Sequence, residues 1–260
     1  MTVGSNQTTA PHPQLRDYYA SDGERRSMLG MLFDRNAKHY DAITQWLSLG
    51  SGRWHRAQVL KNAGVNASTS MLDVACGTGM VTRAAQDMVG PQGSVIGLDA
   101  SLGMLREAKV QGCKHLLHGM AEDLPFPDNT FDLITMGYAL RHVVDLNVVF
   151  AEYFRTLKPG GQVVLMEIAR PESRLSLAFA KFYMKKLVPT LAGMGAKNQS
   201  ANTLMRYYWD TIEHCVPMPV ITDALAQAGF VDIGVTRLFG GLIKDYTATK
   251  PLQRDGVASG

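Results

Sequence analysis

Met71-Leu-Asp-Val-Ala-Cys-Gly-Thr-Gly79 carries the strongest structural signal in this chain. It is an apolar run that ends in two glycines, and a helical pattern begins directly after it at Met80. The pattern predicts a strand, a tight turn and a helix. Glycines let the backbone of such a turn approach a ligand closely, and a helix N-terminus and the Asp73 carboxylate then lie beside one cavity. The stretch therefore predicts a nucleotide-sized pocket.

The residues around this turn argue against two common nucleotide ligands. A dinucleotide fingerprint needs a third glycine where this chain has Thr82, and no Gly-Lys-Ser/Thr of a phosphate-binding loop follows. Asp73 would repel a pyrophosphate, but it suits a cation such as the ammonium of a methionine moiety. Asp99 ends the next apolar run, about 20 residues after Gly79, where ribose-binding acids are found. The two aspartates make S-adenosylmethionine the preferred ligand.

Composition and charge limit the class of protein. The chain has 260 residues, with 26 Lys and Arg against 23 Asp and Glu and a net charge of +3. Because both signs are interspersed, we expect no nucleic-acid partner. The three cysteines, Cys76, Cys113 and Cys215, have no metal-ligand spacing, so we expect no bound metal and reduced thiols in a cytoplasmic setting. No apolar run approaches the length of a membrane span.

The order of helical and strand patterns predicts one α/β domain over residues 15–251. Residues 1–14 have the composition of a disordered leader, and residues 252–260 are expected to fray. Helical spacing in residues 15–66 predicts cap helices over the pocket. Strands that alternate with helices from Met71 onward predict a doubly wound, mostly parallel sheet that binds ligands at the carboxyl ends of its strands.

An apolar insertion over residues 171–219 interrupts this alternation after the fifth strand. Its aromatic and aliphatic residues recur at helical spacing, a pattern that usually indicates core packing. The position of the insertion, directly after a sheet strand at the ligand edge, favours an apolar acceptor pocket as well. The residues concerned are Phe179, Phe182, Tyr183, Leu187 and Leu191, then Tyr207, Tyr208 and Trp209.

Together these motifs resemble the ubiquinone/menaquinone C-methyltransferase family of class I S-adenosylmethionine-dependent methyltransferases. The motifs of the class are Leu72-Asp-Val-Ala-Cys-Gly-Thr-Gly79, Leu124-Pro-Phe-Pro-Asp128, Phe131-Asp132 and Leu157-Lys-Pro-Gly-Gly161. Those of the quinone branch are Phe33-Asp34, Tyr40-Asp41, Leu47-Ser-Leu-Gly50, Trp54, Leu140-Arg141, Ala228-Gly-Phe230, Gly240-Gly-Leu-Ile243 and Lys250. The resemblance implies a seven-stranded Rossmann-like sheet with the first strand central and the last strand antiparallel.

The expected cofactor contacts lie at the turn and at the strand ends. Met120 stands where the family usually has Asn or Asp beside the adenine amine, and its thioether can only pack on the ring. The residues at the turn and strand ends indicate Asp73, Gly77, Gly79 and Asp99, the resemblance implies Thr78, Met120, Ala121 and Gly137, and Ala100 and Met104 after Asp99 complete the expected set.

The catalytic candidates follow from the chemistry of methyl transfer to carbon. A ring carbon becomes nucleophilic once a hydroxyl on the ring loses its proton, so a positioned base is expected. His142, whose side chain ordinarily has a pKa of about 6.5, is the expected base, and Arg141 would stabilise the anion. Tyr40 is a further candidate. His142 and Thr44 both replace an Asn of the family pattern.

We therefore expect a methyltransferase that C-methylates a quinol or a related hydroxylated, apolar aromatic. Two alternatives stay open: O- or N-methylation of a secondary-metabolite small molecule, and a non-catalytic cofactor-binding subunit. Peripheral contact with a membrane surface, to which Lys181, Lys185 and Lys186 would contribute, is also left open, as is a homodimer.

Overall fold

The structure is a computed structural model that describes residues 8–48, 50–171, 173–184 and 199–252. Several expected features lie outside the described residues: residues 1–7 of the leader, Leu49, Lys185, Lys186, Leu187 and Leu191 of the motifs and the insertion, and residues 253–260 of the tail.

Seven strands form one sheet. They are β1 (Ser70–Val74), β2 (Ser94–Asp99), β3 (His115–His118), β4 (Phe131–Gly137), β5 (Leu157–Ile168), β6 (Val231–Leu238) and β7 (Ile243–Thr249). The order is β3-β2-β1-β4-β5-β7-β6, with β1 parallel to β2 and β4, and β7 antiparallel to β5 and β6. The doubly wound, mostly parallel sheet predicted from the sequence is confirmed.

The described residues include eight α-helices. They are α1 (Asp22–Ser48), α2 (Gly52–Asn62), α3 (Met80–Gln86), α4 (Leu102–Val110), α5 (Leu146–Thr156), α6 (Arg174–Phe182), α7 (Gln199–Glu213) and α8 (Met218–Gln227). Ser101 caps α4 by accepting from the Met104 amide at 3.1 Å, because its hydroxyl satisfies a backbone donor that the helix leaves unpaired. Among the described residues, no helix is both long enough and apolar enough to cross a membrane.

Apolar side chains cover both faces of the central strands. Successive strand residues point to opposite faces, and accordingly Leu72 and Val74 pack in one apolar cluster and Met71 in another. This explains why the β1 sequence is nearly continuous in apolar residues, as is usual for a buried parallel strand. Each such side chain contributes about 1.5 to 3 kcal/mol when fully buried. A third cluster joins α1, α6 and α7 and includes Tyr207 and Trp209. These two residues of the insertion therefore pack in the core, as their helical spacing indicated.

The first described residues are packed against the domain, so the expectation of a disordered leader over residues 1–14 is wrong for its described part. Thr9 O accepts from the Leu146 amide at 2.9 Å, and Pro11 O accepts from the Val216 amide at 2.9 Å. The first amides of a helix need partners from outside the helix. Composition could not show that this segment supplies one at the start of α5.

Candidate active site

A cavity of about 790 Å³ lies at the carboxyl ends of β1 and β4. Its volume falls in the upper part of the range of about 300 to 1,000 Å³ that is typical of small-molecule sites. The glycine turn forms one wall, and the cap helices and the insertion form the others. The lining includes Tyr40, Thr44, His55, Arg56, Asp73, Gly77, Thr78, Gly137, Tyr138, Arg141, Leu175, Phe179, Tyr183, Met184, Tyr208 and Leu242.

The two glycines of the turn have different roles. Gly77 has a φ of +58°, and a Cβ at this position would meet no atom within 4 Å, because it would enter the cavity. Gly79 has a φ of +81°, and a Cβ there would overlap Cys113 Sγ. A side chain at Gly77 would thus occupy ligand space, whereas Gly79 is required by packing inside the protein.

Asp73 places a buried carboxylate on the cavity wall. Its two oxygens accept from the hydroxyls of Thr82 at 2.7 Å and Thr135 at 2.8 Å. Burial raises the pKa of Asp73 from its ordinary value of 3.8 to about 6, although the two hydroxyl donors act in the opposite direction. Above that pH the carboxylate is charged, and a cation bound in the cavity would offset its desolvation.

Asp99 shapes the turn from the end of β2. Its carboxylate accepts from the Gly77 amide and from the Ser101 amide, each at 2.8 Å, and burial raises its pKa. A carboxylate has further lone pairs, so Asp99 can still accept from ribose hydroxyls. The structure does not bring the expected residues at this strand end, or Gly79, onto the cavity wall: Asp99, Ala100, Met104, Met120 and Ala121 all lie outside the cavity.

The cap helix α1 crosses over these strand ends. Asp34 Oδ1 accepts from the Gly103 amide at 2.8 Å and from the Ser101 hydroxyl at 2.5 Å. Two turns further along, Asp41 accepts from the Thr78 hydroxyl. The carboxylates of α1 therefore occupy hydrogen-bond donors beside the glycine turn. A bound ligand could otherwise accept from these donors.

Arg141 and Glu167 form a buried ion pair next to the cavity. Arg141 Nη1 donates to Glu167 Oε1 at 2.5 Å and to the Tyr138 carbonyl at 2.6 Å. Burial by itself lowers the pKa of Arg141, but the charge and hydrogen bond of Glu167, together with Tyr208 and Tyr40, raise it by more in sum, so the guanidinium stays charged. It also lies 5.0 Å above the Tyr208 ring. Arg141 thus presents a fixed positive charge to the cavity.

Tyr40 of α1 and Tyr208 of α7 meet across the cavity wall. The Tyr208 hydroxyl donates to the Tyr40 hydroxyl at 2.7 Å. Burial raises the pKa of both phenols, so both are neutral at physiological pH. The pair can donate or accept a hydrogen bond, and it joins the cap helix to the insertion.

His142 is not on the cavity wall, which differs from the expectation that it is the acceptor-site base. Its imidazole stacks on Tyr207 and Tyr208 at centroid distances of 5.6 and 5.9 Å, and only Tyr208 lines the cavity. Burial, together with the nearby charge of Arg141, holds its pKa well below 6.5. Because a base with a lowered pKa accepts protons weakly, this geometry fits a packing role better than a catalytic one.

Sequence reasoning missed a chain of three side chains, His55, Tyr138 and Asp245, of which His55 and Tyr138 line the cavity. His55 Nδ1 lies 2.7 Å from the Tyr138 hydroxyl, and His55 Nε2 lies 2.8 Å from Asp245 Oδ2. His55 and Asp245 are 190 positions apart, so no local motif could have joined them. Tyr138 could have been predicted as a site residue, because it directly follows Gly137 at the carboxyl end of β4, where ligand-binding residues occur.

Comparison with solved structures identifies the fold. A possible histamine N-methyltransferase from Thermotoga maritima superposes with a TM-score of 0.60 at 20% identity, covering 85% of this chain and 99% of that one. Phosphoethanolamine N-methyltransferase 2 of Haemonchus contortus, solved with S-adenosyl-L-methionine, superposes with a TM-score of 0.56 at 20% identity, covering 76% and 52%. The sheet order and the glycine turn after β1 are those of the class I S-adenosylmethionine-dependent methyltransferases.

Comparison of sequences identifies the family. The sequence model of the ubiE/COQ5 methyltransferase family matches residues 21–250. The demethylmenaquinone methyltransferase of Shouchella clausii is 36% identical over 230 residues, which cover 85% of this chain and 95% of the relative. That of Symbiobacterium thermophilum is 36% identical over 252 residues, covering 91% and 97%. The chain belongs to the ubiE/COQ5 methyltransferase family, and it is an S-adenosylmethionine-dependent methyltransferase.

Proposed function

We propose that this enzyme transfers a methyl group from S-adenosylmethionine to a ring carbon of an apolar quinol. The observation that carries the proposal is the composition of the cavity, which joins the glycine turn and Asp73 to an apolar wall from the insertion, with Arg141 and Tyr138 between them. One end thus suits a cationic cofactor, and the other suits a hydroxylated apolar ring.

The cofactor end fits S-adenosylmethionine on two features of the chain. The open space beside Gly77 admits a ligand against the backbone, and the buried Asp73 carboxylate matches a cationic group. Thr78 and Gly137 complete this part of the wall. When bound, S-adenosylmethionine supplies an electrophilic methyl group on a positively charged sulfur. Asp99, Ala100, Met104, Met120 and Ala121 stay predicted contacts of the adenosyl group, and in this structure Asp34 and Asp41 of α1 bond to donors at the ends of β1 and β2.

The acceptor end fits an apolar aromatic with a hydroxyl group. Leu175, Phe179 and Tyr183 of the insertion line this part of the cavity, and Arg141 presents its guanidinium to it. A quinol that has lost a hydroxyl proton carries negative charge on oxygen, which the guanidinium stabilises, and its ring carbon becomes nucleophilic. Two curated relatives are named demethylmenaquinone methyltransferase, which supports a naphthoquinol acceptor.

The test is a product assay with methyl-labelled S-adenosylmethionine. The acceptors are prenylated and unprenylated naphthoquinols, benzoquinols, simple phenols and amines, each incubated with and without a chemical reductant. We expect a carbon-bound methyl group, located by NMR and mass spectrometry, on reduced naphthoquinols. The oxidised quinones should not react, because they have no hydroxyl proton to lose. Label found on oxygen or nitrogen would favour the O- or N-methyltransferase alternative, and no transfer to any acceptor would favour the non-catalytic subunit.

Contact with a membrane surface and a homodimer stay predictions, as does a cytoplasmic location. Leu175, Phe179 and Phe182 of α6 are largely exposed, which would suit an apolar surface that delivers an apolar acceptor. Lys181 is paired with Glu213 at 3.2 Å, so its charge is partly engaged within the protein.

A further inference from the structure

His55, Tyr138 and Asp245 form a hydrogen-bonded chain from the interior of the sheet to the cavity. The strand order explains their meeting, because β5 lies between β4 and β7. Met166 of β5 accepts from the Tyr138 amide at 2.6 Å on one side and pairs with Asp245 on the other. Helix α2 then places His55 over both residues. Three separate elements thus assemble one polar chain.

The protons of this chain can be placed from its donors and acceptors. An ionised Asp245 only accepts, so the facing His55 Nε2 carries a hydrogen. In a neutral imidazole Nδ1 is then an acceptor, and the Tyr138 hydroxyl donates to it. The phenol oxygen keeps its lone pairs for a second partner. Because Tyr138 lines the cavity, that partner can be a bound hydroxyl group.

The backbone at Tyr138 is held in an unusual conformation. Its φ of +62° lies in the left-handed region, which is unfavourable for a non-glycine residue. Strain of this kind persists where the surrounding structure fixes it, and it is concentrated at functional sites. In this conformation the Tyr138 ring lies 5.0 Å from the guanidinium of Arg56 and its hydroxyl lies on His55.

We propose that Tyr138, His55 and Asp245 form the proton relay that ionises the acceptor hydroxyl, a role that rests on the proposed methylation of a quinol. The acceptor O–H bond breaks and its proton moves to Tyr138 Oη, while the proton of Tyr138 moves to His55 Nδ1. The oxygen electron pair left on the acceptor activates its ring carbon toward the methyl group. After methyl transfer that carbon loses its own proton to water, which restores the aromatic ring, and the relay returns its proton from His55 through Tyr138 to the acceptor oxygen.

The charges around the relay are arranged for this transfer. The imidazolium that forms lies next to the Asp245 carboxylate, which also fixes the tautomer, as in other aspartate–histidine catalytic pairs. Arg56 and Arg141 lie on the cavity side, where the acceptor oxygen becomes negative. Burial raises the pKa of Tyr138 to about 12, with Asp245 and Glu167 acting in the same direction and Arg56 against it. Tyr138 therefore passes a proton on and does not remain ionised.

Two variants and one control test the relay. Tyr138→Phe removes the hydroxyl and keeps the ring, and Asp245→Asn keeps the volume and removes the charge. Tyr246→Phe removes a buried hydroxyl from the next residue of β7, whose side chain points to the opposite face of the sheet and into the main core. Binding of S-adenosylmethionine, measured by calorimetry, should be unchanged in all three variants, which shows that each is folded.

The first measurement does not depend on methyl transfer. The probe is 1-naphthol, whose neutral and ionised forms absorb at different wavelengths, titrated with pH while bound to each protein. We expect the ionisation midpoint of bound 1-naphthol to be about one unit or more higher in Tyr138→Phe and Asp245→Asn than in the wild type. The first variant removes the hydrogen-bond partner of the bound oxygen, and the second removes the carboxylate that stabilises the proton on His55. Tyr246→Phe should match the wild type.

The second measurement is turnover on a reduced naphthoquinol. Tyr138→Phe and Asp245→Asn should each lower kcat by on the order of 10²- to 10⁴-fold with little change in KM, and the double variant should lose no more than the stronger single one. Wild-type kcat in both single variants would overturn the relay. So would variant midpoints equal to that of the wild type, or a wild-type midpoint equal to that of free 1-naphthol. A wild type that shifts the probe but methylates no quinol would overturn the proposed function and leave the relay standing.

Discussion

Replacing Asp73 with asparagine should stabilise the folded protein at alkaline pH and weaken cofactor binding. Burial raises the pKa of Asp73 from 3.8 to about 6. At about 1.4 kcal/mol per unit, keeping the carboxylate ionised in the folded state costs about 3 kcal/mol above pH 6. The folded state binds the proton more tightly than the unfolded state, so this cost appears as pH rises from about 4 to about 6.

An asparagine can be accommodated because both partners of Asp73 are hydroxyls. Thr82 or Thr135 can turn its hydroxyl to accept from the amide, and the other continues to donate. We expect the free energy of unfolding of Asp73→Asn to exceed that of the wild type by up to about 3 kcal/mol at pH 8, less at pH 6 and not at all near pH 4. Urea unfolding at these three pH values measures the difference, and calorimetry measures the loss of S-adenosylmethionine affinity.

Asp99→Asn is the matched control. The partners of Asp99 are backbone amides of Gly77 and Ser101, which cannot reverse, so an amide N–H would face one of them without an acceptor. We expect this variant to lose about 1 to 3 kcal/mol of stability. A lower stability of Asp73→Asn at pH 8, or a difference that does not change between pH 8 and pH 4, would refute the assignment of a charged, desolvated carboxylate to Asp73.

Three further predictions concern packing and charge. Gly79→Ala should lower the free energy of unfolding by about 2 to 4 kcal/mol, because its positive φ and the overlap with Cys113 both disfavour a Cβ. Adding Cys113→Ala to this variant should recover part of the loss, and urea unfolding measures both effects. Glu167→Gln leaves the buried charge of Arg141 without its carboxylate and should cost about 3 kcal/mol in thermal unfolding, whereas an unchanged melting temperature would mean that solvent reaches the pair. His142→Asn should keep wild-type kcat and the same pH profile between pH 6 and pH 8, and a 10²-fold fall in kcat would return His142 to the role of base.

The fold could be predicted because its signals are local. The β1 run followed by two glycines, the Ser101 cap and the Lys158-Pro-Gly-Gly161 stretch after α5 each mark the start or the end of an element within a few residues. The described part of the leader could not be predicted in this way, because Thr9 and Pro11 are ordered by amides more than 100 positions away. Composition does not report such partners.

The candidate site likewise has one half that local sequence signals predict and one half that they do not. Its cofactor half, Asp73 and Gly77, lies within one motif, and the sequence alone placed both residues at one pocket. Its acceptor half comes from α2, β7 and the residue after β4, so His55 and Asp245 meet only in the folded sheet. His142 shows the converse, because adjacency to Arg141 in sequence did not reveal that the space beside it is filled by aromatic rings.

The packed segment at the amino end has a consequence for exchanging parts between relatives. Pro11 bonds to Val216 at the end of the insertion, and two residues earlier Thr9 bonds to Leu146 at the start of α5. Substrate preference is often transplanted by swapping the segment that lines the acceptor pocket, here residues 171–219. In such a chimera the end of the transplanted insertion would pack against an amino-terminal segment from a different protein. The exchangeable module is therefore discontinuous, and it includes residues 8–12 together with the insertion.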